Sequence, residues 1–207
     1  MSLYTTTKTQ PLASGHLCAI GSLSNALSAT CKGYRKTVAG RYAGATTDTL
    51  GELGAGPFHI SPKIDGELWF LIADEGEVFL CAPNGRVIHG DVPLLAEATK
   101  TLGSRAKGRT ILAGELWVIP ESDRPRVGAV VSLLSGGTTA DVKRLCFSAF
   151  DLVTDGALEG DGSHEAYSDR LTAMEAYLEG GKRARVVKTI QADDLSLIHI
   201  SEPTRPY

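Results

Sequence analysis

Phe58-His59-Ile60-Ser61-Pro62-Lys63-Ile64-Asp65-Gly66-Glu67-Leu68-Trp69-Phe70-Leu71-Ile72 is the stretch on which the fold turns. A short β-prone run, Phe58 to Ile60, leads through Ser61-Pro62-Lys63 into a longer strand-like run, Leu68 to Ile72, rich in aromatic and aliphatic side chains. Asp74-Glu75-Gly76 reads as a tight turn into Val78-Phe79-Leu80, which makes a hairpin. Asn84-Gly85 supplies a second turn before Arg86-Val87-Ile88.

Working outward, Pro93, Leu94, Leu95, Ala98 and Leu102 have helical spacing with proline in the first turn, and Gly103 is placed to stop the helix. Strand character returns from Thr110 to Ile119 and from Lys143 to Val153, with a short helix expected between them over Arg126 to Leu134, closed by Gly136-Gly137. Tyr167, Leu171, Met174 and Leu178 recur at i, i+4, i+7 and i+11, which predicts a helix with Asp161 or Ser163 as its cap and Gly180-Gly181 as its stop. Another strand is expected to begin over Val186 to Ile190. Hairpins interspersed with helices, without a regular βαβ alternation, predict an α+β domain on antiparallel sheets. Residues 1–50 are rich in Ser, Thr, Ala and Gly, with weak periodicity from Leu12 to Leu27 and a basic cluster at Lys32, Arg35, Lys36 and Arg41. Composition specifies this segment poorly.

The chain has 207 residues and 43% hydrophobic content, enough to bury a core. Its 21 basic and 24 acidic side chains give a formal charge of −3. That balance supplies no global attraction to nucleic acid, so any such contact needs a local patch. Cys18, Cys31, Cys81 and Cys146 are widely spaced, with no C-x-x-C pair and no histidine placed to complete a zinc site. Buried, inert thiols in a reduced, cytoplasmic protein are expected, and no metal-ligand set is read from the sequence. No apolar run approaches the roughly 18 residues of a membrane span, and no membrane partner is expected.

Ser61-Pro62-Lys63-Ile64-Asp65-Gly66 resembles motif I, the K-x-D-G signature of the covalent nucleotidyltransferases: DNA ligases, RNA ligases and mRNA capping enzymes. Two further segments fit the family in order and spacing. Thr110-Ile111-Leu112-Ala113-Gly114-Glu115-Leu116 looks like motif III, a strand ending in Gly-Glu, and Phe147-Ser148-Ala149-Phe150-Asp151-Leu152 looks like motif IIIa. The resemblance covers residues from about 57 to 190 and implies a DNA-ligase-type adenylation domain acting on nicked DNA or RNA ends, as a monomer, with ATP and Mg²⁺. It implies that Lys63 attacks the α-phosphorus of ATP, expels pyrophosphate and carries AMP as a phosphoramidate. Ser61 then matches the position that reads the adenine edge, Glu115 the acid on the ribose or metal, and Phe150 the aromatic that stacks on the purine. Ile64, Asp65 and Gly66 complete the nucleotide-binding loop. An amine with an ordinary pKa of about 10.4 must be partly neutral to react, so burial beside Ile64 or a bound cation is expected to assist.

Two departures stand out. Motif I often continues with an arginine where this chain has Leu68, and Arg86 is the candidate replacement. Motifs IV and V do not appear: Glu159-Gly160 lies too close to Phe150, and Glu179-Gly180 reads as a helix end. Leu195-Ser196-Leu197-Ile198-His199-Ile200-Ser201-Glu202-Pro203-Thr204-Arg205 resembles a translated transposase mosaic-end adapter of sequencing libraries. The expected organisation is therefore an N-terminal segment over 1–56, a partial nucleotidyltransferase domain over 57–194, incomplete at its C-terminus and inactive as it stands, and a non-biological tail over 195–207. Capping chemistry, an RNA-directed ligase and a non-catalytic domain that binds nucleotides or nucleic-acid ends are the alternatives. NAD dependence is disfavoured because residues 1–50 show no nicotinamide-binding domain.

Overall fold

In the computed structural model, residues 2–41, 56–120, 128–154 and 165–193 are described. The N-terminal stretch forms β1 (Thr9–Leu12), β2 (Ser14–Cys18) and α1 (Asn25–Thr37). After β3 (Phe58–Ile60) come β4 (Glu67–Asp74), β5 (Glu77–Cys81) and β6 (Val87–Asp91). Then follow α2 (Pro93–Ala98), β7 (Thr110–Val118), α3 (Ala129–Leu134), α4 (Thr139–Val142) and β8 (Leu145–Leu152). Last are α5 (Tyr167–Leu178), β9 (Ala184–Val186) and β10 (Ile190–Ala192). The chain divides into two compact units, the larger holding residues up to Arg41 with Ile64–Val186, the smaller Tyr42–Lys63 with Val187 onward.

The larger unit is an α+β fold on one sheet, ordered β1-β2-β6-β5-β4-β7-β8-β9. All neighbours are antiparallel except β8 and β9, which run parallel. That exception follows from α5, because a helix between two neighbouring strands returns the chain in the same direction. The β4–β5 hairpin closes through Glu75 (φ 49°) and Gly76 (φ 85°), the two left-handed positions of a tight hairpin turn.

Strand alternation separates two apolar layers. Trp69, Leu71, Leu80, Ile88, Leu112, Leu116 and Phe147 point to one face, where they meet Leu94 and Leu95 of α2, Leu133 of α3 and Met174 of α5. Phe70, Ile72, Phe79 and Ala113 point to the other, where Leu27, Cys31 and Tyr34 of α1 cover them. These three α1 residues fall at i, i+4 and i+7, one stripe of the helix. Lys32, Arg35 and Lys36 of the basic cluster are exposed on the same helix.

Several expectations need correction. The poorly specified N-terminal segment is integral to the sheet, since β2 pairs with β6 from Ser14↔Asp91 to Cys18↔Val87. The helix after β7 begins at Ala129, behind a left-handed Gly128. Thr138 and Asp141 then cap a short helix, α4, with a reciprocal box that the sequence reading lacked. The helix from Pro93 widens into a π-helical turn over Thr99–Gly103. On α5 the N-cap is Ala166, without a side-chain bond, while Asp161 and Ser163 lie outside the described residues. The strand expected over Val186 to Ile190 is interrupted: β9 ends at Val186, where the chain leaves the larger unit, and β10 begins at Ile190. Glu159-Gly160 and the adapter-like tail also lie outside the described residues.

All four cysteines are buried and free. The Cys31 and Cys81 sulfurs lie 3.7 Å apart, and their hydrogen bond raises the Cys81 thiol, with burial adding to it. Burial also raises Cys18 and Cys146, so these thiols stay protonated and inert. Among the described residues, no helix is long and apolar enough to cross a membrane.

In the smaller unit β3 pairs antiparallel with β10, Phe58↔Ala192 to Ile60↔Ile190. Gly56 packs against the same segment, its missing Cβ leaving room for the Asp193 carbonyl.

Candidate functional site

Gly66 is the structural pivot of the K-x-D-G segment. A Cβ on it would stand 2.4 Å from the Leu116 carbonyl oxygen, so only glycine lets the chain enter β4 this close to β7. The same imaginary atom would be 3.2 Å from Oε2 of Glu115, whose half-buried carboxylate thus lies over the motif glycine. Register agrees: Leu68 of β4 sits opposite Glu115 of β7. Gly114, next to Glu115, also makes a close approach. A Cβ there would meet the Phe147 ring and the Ser148 carbonyl, each at 2.5 Å.

Phe150 reaches the face of Glu115 through a break in register. Ala113 pairs with Asp151, but its neighbour Gly114 pairs with Ala149, so Phe150 is the extra residue of a β-bulge. Its half-buried ring packs with Leu68 against the layer that contains Ala113, on the face shared with Glu115. Three segments distant in sequence therefore meet on one surface of the sheet: Gly66 beside Glu115, and Phe150 one strand over.

The bulge is tied down by groups the sequence reading did not single out. Asp151 is 4% exposed. Its Oδ2 accepts from Tyr34 Oη at 2.8 Å and its Oδ1 from Arg170 Nε at 2.8 Å. Tyr167 Oη donates to the Phe150 carbonyl at 3.3 Å. Farther along the same face, Trp117 Nε1 donates to Ser148 Oγ at 3.0 Å, and Arg185 lies 5.5 Å over the Trp117 ring. The available sequence signal was an aspartate inside an apolar strand, which needs a cation when buried.

Arg86 lies on the opposite side of the sheet from Glu115. Its Nη2 pairs with Glu67 at 3.1 Å and its guanidinium covers Trp69 at 5.2 Å, so it is held toward the sheet face opposite Glu115 and Phe150. Alternation explains this, because Glu67 and Trp69 project away from Leu68. Ser61 and Lys63 belong to the smaller unit, in a segment without regular structure, while Ile64 and Asp65 open the larger one. Lys63 is exposed, so the expected burial beside Ile64 is not found.

Among the described residues no group of three or more His, Cys, Asp or Glu side chains is arranged to hold a metal ion.

No family model matches the chain, and no curated protein matches it. Among solved structures, one named Pmar-Lig_PreS3 superposes with a TM-score of 0.55 at 16% identity, covering 73% of this chain and 35% of that one. The ligase domain of LigD from M. tuberculosis gives 0.44 at 25% identity, over 65% of this chain and 40% of that one. A mycobacterial DNA ligase D complexed with ATP and MES gives 0.44 at 25%, over 66% and 41%. The first likeness speaks to the fold alone, and the superpositions on the other two are too loose to add to it. This chain spans 35% of the length of the first structure.

Proposed function

We propose that the chain carries part of the nucleotidyltransferase domain of an ATP-dependent polynucleotide ligase, with Lys63 as the residue that becomes adenylated. The observation that supports this most directly is the meeting of motif I, III and IIIa residues on one sheet face: Gly66 against β7, Glu115 above it and Phe150 on the adjoining bulge. A bulge that leaves Phe150 only half-buried, on the face that also carries Glu115, is not required by packing of the sheet.

In this reading Phe150 stacks on the purine, a contact worth roughly 1–3 kcal/mol. Glu115 accepts a hydrogen bond from a ribose hydroxyl, and Ser61 takes the role of reading the base edge. Ile64, Asp65 and Gly66 form the loop that turns from the lysine into β4. Arg86, paired with Glu67 over Trp69, is the candidate for the arginine that motif I lacks at Leu68. The Lys63 amine, once neutral, attacks the α-phosphorus; the bond to pyrophosphate breaks as the N–P bond forms. AMP then passes to a 5′-phosphate end, and a 3′-hydroxyl displaces it. Mg²⁺ carried by the triphosphate would supply charge neutralisation when bound.

The test is to incubate the intact protein with α-labelled ATP or GTP and Mg²⁺, and to look for acid-stable label on the chain. Label from ATP that disappears in Lys63→Ala is the expected result. Label from GTP alone would move the assignment to capping chemistry. Unlabelled protein that still binds ATP would leave a binding module without the covalent step.

A further inference from the structure

The groups on either side of the Phe150 side chain are held by other elements of the fold. A bulge residue lacks a partner on the neighbouring strand and is free to swing unless its flanking groups are fixed. Here both flanks are fixed. The Phe150 carbonyl accepts from Tyr167 of α5, and the Asp151 carboxylate is gripped at both oxygens, by Tyr34 of α1 and Arg170 of α5. The ion pair is buried on both sides, with side-chain exposures of 15% for Arg170 and 6% for Asp151. Arg170 also lies 5.5 Å over the Tyr167 ring, so the two α5 contacts support each other.

We propose that Asp151 is a positioning residue for the nucleobase: by joining α1 and α5 to the bulge, it sets the plane of the Phe150 ring on which the purine stacks. This rests on the reading of Phe150 as the stacking residue. A buried pair of this kind adds little net stability compared with apolar side chains of equal volume, and its characteristic effect is to specify one geometry. The geometry specified here is that of a peptide whose preceding side chain faces the candidate nucleotide surface. Gly114 makes the arrangement possible by admitting Phe147 and Ser148 at the neighbouring position.

A double-mutant cycle on the intact protein tests this, with ATP and inorganic tripolyphosphate titrated by calorimetry into wild type, Phe150→Ala, Asp151→Asn and the double variant. Phe150→Ala is expected to weaken ATP binding about tenfold, in line with the loss of one stacked base. Asp151→Asn should weaken ATP about fivefold in wild type and less than about twofold once Phe150 is alanine, leaving tripolyphosphate unchanged in both. Equal losses in the two backgrounds, or equal losses for ATP and tripolyphosphate, would overturn the positioning role and leave the nucleotide site standing. Wild type that binds ATP no more tightly than Phe150→Ala would remove the stacking assignment and this inference with it. If Asp151→Asn does not fold, Tyr34→Phe removes one bond to the same carboxylate and runs through the same cycle with the same criteria.

Discussion

Gly114 and Gly66 show that the glycines of the recognisable motifs are set by steric contact as well as by chemistry. At Gly114 a methyl group would collide with a ring and with a backbone carbonyl of β8, and a carbonyl inside a paired strand cannot rotate away. Gly114→Ala is therefore expected to cost about 1–3 kcal/mol, the usual range for forcing a methyl into a packed site. It should also weaken ATP binding, since β8 must shift where Phe150 emerges. Urea denaturation gives the first quantity and calorimetry the second; an unchanged unfolding midpoint would show that β8 yields at no cost. Glu115 and Phe150 could be picked out from sequence because order and spacing mark them. The partners of Asp151 carry no such mark, because the tyrosine is 117 positions away and the arginine 19. The fate of Arg86 depended on strand parity relative to Glu67, which a one-residue change of register would reverse.

Among the elements, the β4–β5 hairpin was the most legible, because a two-residue turn between apolar runs is a local signal. Its turn is nonetheless imperfect. Glu75 occupies a left-handed position at φ 49°, where glycine is favoured for lacking a Cβ and asparagine for a short polar side chain that bonds the local backbone, neither of which glutamate offers. Glu75→Asn should stabilise the larger unit by about 0.5–1 kcal/mol, by supplying that local bond while keeping the Gly76 turn. A rise in thermal midpoint without any change in denaturant slope is the expected result, and a fall would mean that the Glu75 side chain makes a contact outweighing that gain. Elements whose boundaries depend on distant partners were harder to read. The bulge at Phe150 exists only in relation to Ala113 and Gly114, and β9 stops at Val186 because the chain departs there for the smaller unit. The short box-capped α4 carries its own local signal in Thr138 and Asp141, but four residues give no periodicity to detect.

At the scale of the larger unit, the decisive feature is that the first 41 residues close one face of the sheet. Composition suggested a boundary near residue 56, since β1 and β2 carry few β-branched or aromatic residues and α1 is polar on most of its surface. Pairing shows otherwise: β2 completes the ladder beside β6, and α1 seals Phe70, Ile72 and Phe79 beneath Leu27 and Tyr34. Burying one large apolar side chain contributes roughly 1.5–3 kcal/mol. Stripping these three residues of their cover removes roughly 5–9 kcal/mol, comparable with the about 5–15 kcal/mol net stability of a whole domain. A fragment beginning at Gly56 is thus expected to lack a cooperative unfolding transition, to lose near-ultraviolet circular dichroism and to aggregate through the uncovered edge of β6. It should also fail to bind ATP, because without a folded sheet β7 and β8 no longer hold Glu115 and Phe150 together; loss of the Tyr34 bond to Asp151 adds to that but does not carry it. A fragment that unfolds cooperatively at the midpoint of the intact chain would place α1 and β2 outside the folding unit, and would restore the boundary that composition alone suggested.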